Sequence, residues 1–179
     1  MNKYGVIVGP NTVRFERLLP GPIERVWSYL TDPEKRGTWL AKGNMDLRID
    51  GHVELEFFNN KLTDNDESPP PKYAQYGGEI HMVGRVVECQ PPHLLTYSWG
   101  ENLGTASEVT FELSPRDDKV LLVLTHRRLV TRDDMVSVAG GWHTHLDILV
   151  DRLEGRKPAG FWMTHKRLET EYDERLPSN

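Results

Sequence analysis

The amino-acid sequence predicts an α+β fold in which a curved, seven-stranded antiparallel sheet wraps one long C-terminal helix. Three observations carry that reading. Segments with a strand period, punctuated by Pro and Gly turns, run from Asn44 up to the long helix. Two short helix signals follow an opening strand. One long amphipathic segment, Thr131 to Leu153, is available to lie in the concavity that such a sheet must enclose.

A chain of 179 residues has the length of one ordinary domain. Its mean hydropathy of -0.56 is that of a globular protein, and no apolar run approaches the roughly 20 residues of a membrane span. The net charge of -5 opposes polyanions, so neither nucleic acid nor membrane is an expected partner. A lone Cys89 allows no internal disulfide, and the first ten residues lack the extended apolar stretch of an export signal. A cytoplasmic location is expected.

Val13, Phe15 and Leu19 give the opening strand, with Arg17 interrupting the apolar period. Pro22 opens a helix in which Ile23, Val26, Trp27 and Leu30 recur at helical spacing, and Asp32 caps a second short helix beginning at Pro33. Asp50-Gly51 predicts a hairpin between Met45 to Ile49 and Val53 to Phe58. Residues Asn59 to Gly78 hold a charge run, a triple proline and two glycines, and read as a long mobile loop. Four strands follow, separated by Pro91-Pro92, by Gly100 to Gly104 and by Pro115 to Lys119. The stretch Glu79 to Cys89 would extend about 36 Å at about 3.3 Å per residue, long enough that it must twist and curl. In the long helix Trp142, Leu146, Leu149, Val150 and Leu153 share a stripe that Val138 and Ala139 extend. Phe161, His165, Leu168 and Tyr172 then mark a further helix, so residues 1–154 read as the domain and 155–179 as its helical extension. The outward positions Leu121 and Val123 are apolar, and the tail is expected to cover them, in its own chain or a neighbour's.

Several segments, in this order and spacing, resemble the homologues of the activator of the 90-kDa heat-shock protein ATPase, within the START-like, polyketide cyclase-like helix-grip superfamily. They are Pro22 to Trp27, Leu30 to Pro33, Trp39, Gly84 to Pro92 with Leu95 and Trp99, Val109 to Leu113, Leu122 to His126, and Gly140-Gly141-Trp142 leading to His145-Leu146. The resemblance implies a mostly apolar cavity between sheet and long helix, used across the superfamily for small hydrophobic molecules. It does not imply chaperone activation, because the Asn- and Trp-rich ATPase-stimulating domain of the eukaryotic co-chaperone has no counterpart in these residues. A chaperone partner is thus without support, and a homodimer stays open.

The cavity wall is expected from Trp39, Phe57, Tyr97, Trp99, Phe111, Leu124, His126, Trp142, His143 and Leu146, although large rings as readily just fill a core. His126 alternates with Leu122 and Leu124, and the resemblance makes their shared face the concave one. There it could orient a polar ligand end or act as an acid–base group near neutral pH, with Tyr97, His143 or His145 as its partner; the bland alternative is a buried imidazole bonded to Tyr97 or a backbone carbonyl. His143 and His145 diverge by about 200° on a helix and cannot close on one metal. Asp64 to Glu67 lacks the glycine and distal glutamate of a calcium loop. No nucleophile elbow or phosphate loop is present, Gly140-Gly141 stands alone, and Cys89 reads as a structural thiol. Arg127-Arg128 and Arg132 read as a solvated patch more readily than as an anion site. No catalytic residue, metal or cofactor is therefore assigned. The leading expectation is a carrier, sensor or stress-related accessory for a small hydrophobic molecule. An enzyme of cyclase, dehydratase or hydrolase type, or a protein-interaction module using residues 59–78 and the tail, are the alternatives.

Overall fold

The computed structural model describes residues 1–64 and 68–177. Its strands are β1 (Val6–Gly9), β2 (Thr12–Pro20), β3 (His52–Phe57), β4 (Ile80–Gln90), β5 (Leu94–Trp99), β6 (Ser107–Arg116) and β7 (Lys119–Arg127). Its helices are α1 (Ile23–Thr31), α2 (Pro33–Arg36), α3 (Arg132–Leu153) and α4 (Phe161–Arg175). All strand pairs are antiparallel, and the sheet order is β1-β2-β7-β6-β5-β4-β3. No helix among the described residues is long and apolar enough to cross a membrane.

The sheet has the expected seven strands, from a partly different set. Val6 to Gly9 pairs with β2 as an edge strand, whereas the expected arm Met45 to Ile49 contributes only the isolated bridge of Met45 to Val53 beside that of Lys42 to Glu56. The hairpin tip is instead folded onto β4, where Asp50 N–H donates to Val86 O at 2.8 Å and Val86 N–H to Gly51 O at 2.9 Å. The arm still follows β3 for a few residues, Asp46 N–H donating to His52 O at 2.9 Å and Glu54 N–H to Asn44 O at 2.8 Å, without forming a continuous strand.

Strand alternation places Phe15, Leu95, Tyr97, Phe111, Leu122 and Leu124 on the concave face, each 1% exposed or less, against α3. Arg17 shares that face. It is 4% exposed and pairs with Asp147 of α3 at 3.4 Å, so the charge that breaks the apolar period is a buried cross-link. A capping box at Thr131 and Asp134 starts α3. Its far end is closed by Arg25 of α1, which donates to Leu153 O at 2.9 Å, and by Arg152, which donates to Leu62 O at 2.8 Å. Arg36, 1% exposed, donates to the carbonyls of Ala41, Thr31 and Gly43 and thereby holds the turn after α2.

The tail forms the expected helix, with Phe161, His165, Leu168 and Tyr172 all buried. It does not cover Leu121 and Val123, which stay half-buried on the outer sheet face; α4 packs along α3 instead. The reason is that α3 is buried on more than one stripe, and its sheet-averted residues need a cover of their own. The helices come close at Gly140, where a methyl group would lie 3.4 Å from the Glu169 backbone, in van der Waals contact with it. Tyr172 then reaches into the core: His143 Nδ1 lies 2.9 Å from its hydroxyl, which also accepts from Gly5 N–H at 2.6 Å. Arg132 ties the other end by bonding Asp173 and the Leu176 carbonyl.

The segment after β3 is not a free loop. Asn59–Lys61 and Pro71–Tyr76 are 3-10 turns, and Tyr73 is half-buried with its hydroxyl 2.9 Å from Ser137 Oγ. Thr63 Oγ1 accepts from Phe161 N–H at 3.0 Å, supplying α4 with the side-chain cap that its own Gly160 cannot. Asn65, Asp66 and Glu67 lie outside the described residues, so the charge run is described only at Asp64.

Replacing Tyr172 by Phe removes the hydroxyl that serves both His143 and Gly5 while keeping the ring. Urea unfolding should show a loss of about 1–3 kcal/mol, and unchanged stability would mean that the hydroxyl does not hold the tail.

Candidate functional site

The sheet and α3 do not meet along the whole helix. Beside the N-terminal half of α3 lies an open pocket of about 470 Å³. Its sheet wall is Phe57 from β3, Trp99 from the end of β5 and His126 from β7. Its helix wall is Ser137, Gly141, Trp142 and His145, one stripe of α3 at three- and four-residue intervals. The start of α4 supplies Phe161, Trp162 and His165, and the 3-10 turn supplies Tyr73 and Tyr76 as a cover. Gly141 is the permissive position: a Cβ built there meets nothing within 4 Å, so the missing side chain is part of the space.

Rings hold one another in place. Trp99 lies 5.0 Å from Trp142 and 5.8 Å from Phe57, while Tyr73 stacks on Trp162 at 6.0 Å and meets His165 edge-on at 4.9 Å. At the mouth Lys72 bridges Glu169 at 2.7 Å and approaches Asp133 at 3.9 Å, so its charge is already matched.

Burial disfavours the charged form of the four histidines around α3, His126, His143, His145 and His165. His126, wholly buried, is pushed down to about 3 by desolvation, and its Nδ1 accepts from the Trp142 indole N–H at 2.9 Å. Its Nε2 is buried without a partner among the described residues. His145 is pushed down to about 4 by burial, against the opposing effect of its bond to the Trp39 carbonyl. His143 falls to about 3 through burial and then the Arg17 charge, and burial also lowers His165. An imidazole at about 3 is not poised as a base near neutrality; what His126 offers is a hydrogen-bond donor.

Of the wall residues expected from the sequence, Phe57, Trp99, His126 and Trp142 stand in the pocket. Tyr97, Phe111, Leu124 and Leu146 are close-packed beneath α3, with Tyr97 stacked on Phe111 at 5.9 Å. Trp39 lies in the core, its indole donating to Tyr29 O at 2.8 Å, and acts on the site only through the carbonyl that holds His145. His143 faces Tyr172. Gly141, Tyr73, Phe161 and Trp162 were missed, and His145 was named only as a possible partner of His126. The signal that could have found Gly141 is a glycine pair in mid-helix, against a propensity cost of about 1 kcal/mol each. His126 bonds Trp142 rather than Tyr97 or a carbonyl. Arg127 pairs with Glu108 and Arg132 with Asp173, so both basic side chains have acidic partners. Apart from the pocket, Glu54, Glu56 and His81 come within 4.8 Å of one another, a grouping that only the β3–β4 register creates.

A curved antiparallel sheet gripping a long helix, with a ring-lined pocket at one end of that helix, defines the START-like, polyketide cyclase-like helix-grip class. The chain belongs to the family described as activator of Hsp90 ATPase homolog 1-like protein, whose pattern matches residues 20–154. It is similar to a Bordetella parapertussis protein solved by solution NMR, with 44% identity, a TM-score of 0.82, and 99% of this chain and 93% of that one covered. It is also similar to CalU16 from Micromonospora echinospora (25% identity, TM-score 0.65, 92% and 84% covered). DynU16, a protein of the dynemicin biosynthetic locus, shares the fold at 17% identity and a TM-score of 0.62, with 84% of this chain and 49% of that one covered. No curated protein matches the chain significantly.

Burial of neutral histidines makes stability pH-dependent. Their folded values lie below the ordinary 6.5, so the unfolded chain binds protons first. Their contribution is complete above about pH 6.5 and falls with acidification, by about 1.4 kcal/mol per pH unit for each fully shifted group. Thermal unfolding should therefore shift down steadily between about pH 6.5 and pH 5. A flat profile would contradict neutral burial.

Proposed function

We propose that the chain binds a small hydrophobic, ring-bearing molecule in the pocket beside Gly141, as a carrier or sensor. The observation that carries the reading is a volume of about 470 Å³ walled by Phe57, Trp99, Trp142 and Phe161, within the range of about 300–1,000 Å³ usual for small-molecule sites. A glycine keeps that space open at the expense of helix propensity. Family membership and the likeness to CalU16 support a ligand-binding or cyclase-like role at the level of the class. Between those two, the low value of His126 favours binding over acid–base turnover. Nothing favours the interaction-module reading, since the tail helix and the 3-10 turns face α3.

Filling the pocket from its open wall separates binding from folding. Gly141→Leu should keep or raise stability, by up to about 1 kcal/mol through helix propensity, and should abolish binding of flat aromatic probes in native mass spectrometry and thermal-shift assays. With the wild type, a binder at about 100 times its Kd should add about 2.7 kcal/mol. Undiminished binding by the variant, or no binder across lipids, flavonoids and polyketide-like compounds, would contradict the assignment.

A further inference from the structure

Away from the pocket, the outer face of the β3–β4 edge gathers metal-ligating side chains. In β3 Val53, Leu55 and Phe57 point inward and are buried, so His52, Glu54 and Glu56 stand on the outer face. The register sets Glu56 opposite His81 of β4, and Glu54 opposite Val83 at the next pair on that face. One ligand atom from each of Glu54, Glu56 and His81 thereby falls within 4.8 Å of the other two, the one such grouping of His, Cys, Asp and Glu among the described residues. Donors around a tetrahedral zinc ion at about 2.0–2.2 Å sit about 3.4 Å apart. Rotation of a partly exposed glutamate side chain spans that difference.

The cations nearby are engaged elsewhere. Lys42, which bridges Glu56 on the free side of β3, reaches Glu34 at 3.2 Å, and Arg85, opposite His52, reaches Glu101 at 3.6 Å. Lys61 lines the same groove as Glu56 and Glu79, and rests over the Phe58 ring at 4.4 Å. Glu54 meets His52 at 3.4 Å. Neither the Glu56 carboxylate nor the His81 imidazole has a hydrogen bond or ion pair among the described residues. Two carboxylates at adjacent positions of one strand face repel each other. A divalent cation would relieve that repulsion and take a ring nitrogen of His81 as its third ligand. The donor set also selects the metal. Calcium wants six or more oxygens and magnesium an octahedron rich in water, whereas one imidazole with two carboxylates suits zinc, water completing the tetrahedron.

We propose that Glu54, Glu56 and His81 form a zinc site on the outer face of the sheet. β3 ends the sheet order, with only the isolated bridges of Lys42 and Met45 beyond it, so an ion shared with His81 would pin this edge strand to β4. The three side chains leave the sheet on the face opposite Phe57, and the site therefore stands or falls independently of the pocket.

The test is calorimetric titration of the chelator-treated full chain with zinc chloride, with calcium and magnesium chlorides in parallel. Zinc should bind saturably at one ion per chain and raise the melting temperature as its concentration rises. Glu54→Gln, Glu56→Gln and His81→Gln should each weaken zinc binding about tenfold or more. Because these side chains lie at the surface, each variant should still melt cooperatively in EDTA, which separates a lost site from a lost fold. Cys89→Ser, which removes the chain's one thiol, should bind zinc as the wild type does. Nitrogen-15 NMR should show zinc shifting a ring nitrogen of His81 and leaving the His126 ring unmoved. Absent or unsaturable zinc uptake, equal affinity for calcium, or zinc binding undiminished by any of the three substitutions would overturn the assignment and leave the cluster a solvated surface patch.

Discussion

The structure depends on covering α3 from several sides at once. A helix buried on one stripe can lie in a curved sheet and leave its other residues to water, but here Gly140, His143, Thr144 and Ile148 are buried as well. The sheet covers one side and α4 another, with the turn Pro71–Tyr76 closing over Ser137. Three unlike covers do not meet at one seam without a gap, and the gap lies where the helix has Gly141. The two adjacent glycines thus face different surroundings: Gly140 lies against the backbone of α4, and Gly141 faces open space.

The same constraint explains the histidines. A face that must be both packed and polar enough to anchor a second layer is served by imidazoles, which fill space as rings and fix orientation with one hydrogen bond. His143 binds the tail through Tyr172, and His145 binds the turn after α2 through Trp39. His126 binds α3 through Trp142. Each spends one nitrogen on structure, and in His126 and His145 the remaining nitrogen belongs to a ring in the pocket wall.

The sheet and the helix order were legible because they rest on local signals: alternation in β2 and β7, Asp32 before Pro33, an amphipathic run from Thr131 to Leu153. Phe57, Trp99, His126 and Trp142 were legible as inward-facing for the same reason. Which inward residues border space and which fill it was not legible, because that depends on where a second layer lands. The stripe of Phe161, His165, Leu168 and Tyr172 was visible, but its destination was misread. A one-stripe reading of α3 left the apolar Leu121 and Val123 as the obvious surface to cover, whereas the unread burial of His143 and Gly140 was the stronger demand. Arg17 was misread in the same way, since a charge within a strand period looks like an interruption until Asp147 is placed opposite it.

The central claim is that the space beside Gly141 belongs to the folded protein and accepts a hydrophobic guest. The most direct measurement is a titration with diphenylmethane followed at the indole N–H signals of the tryptophans. Trp99 and Trp142 border the space, whereas Trp39 is sealed in the core with its indole on the Tyr29 carbonyl. The account predicts saturable shifts at Trp99, Trp142 and the Gly141 amide with the Trp39 signal unmoved. Shifts spread over the outer sheet face, or none at the two pocket indoles, would contradict it.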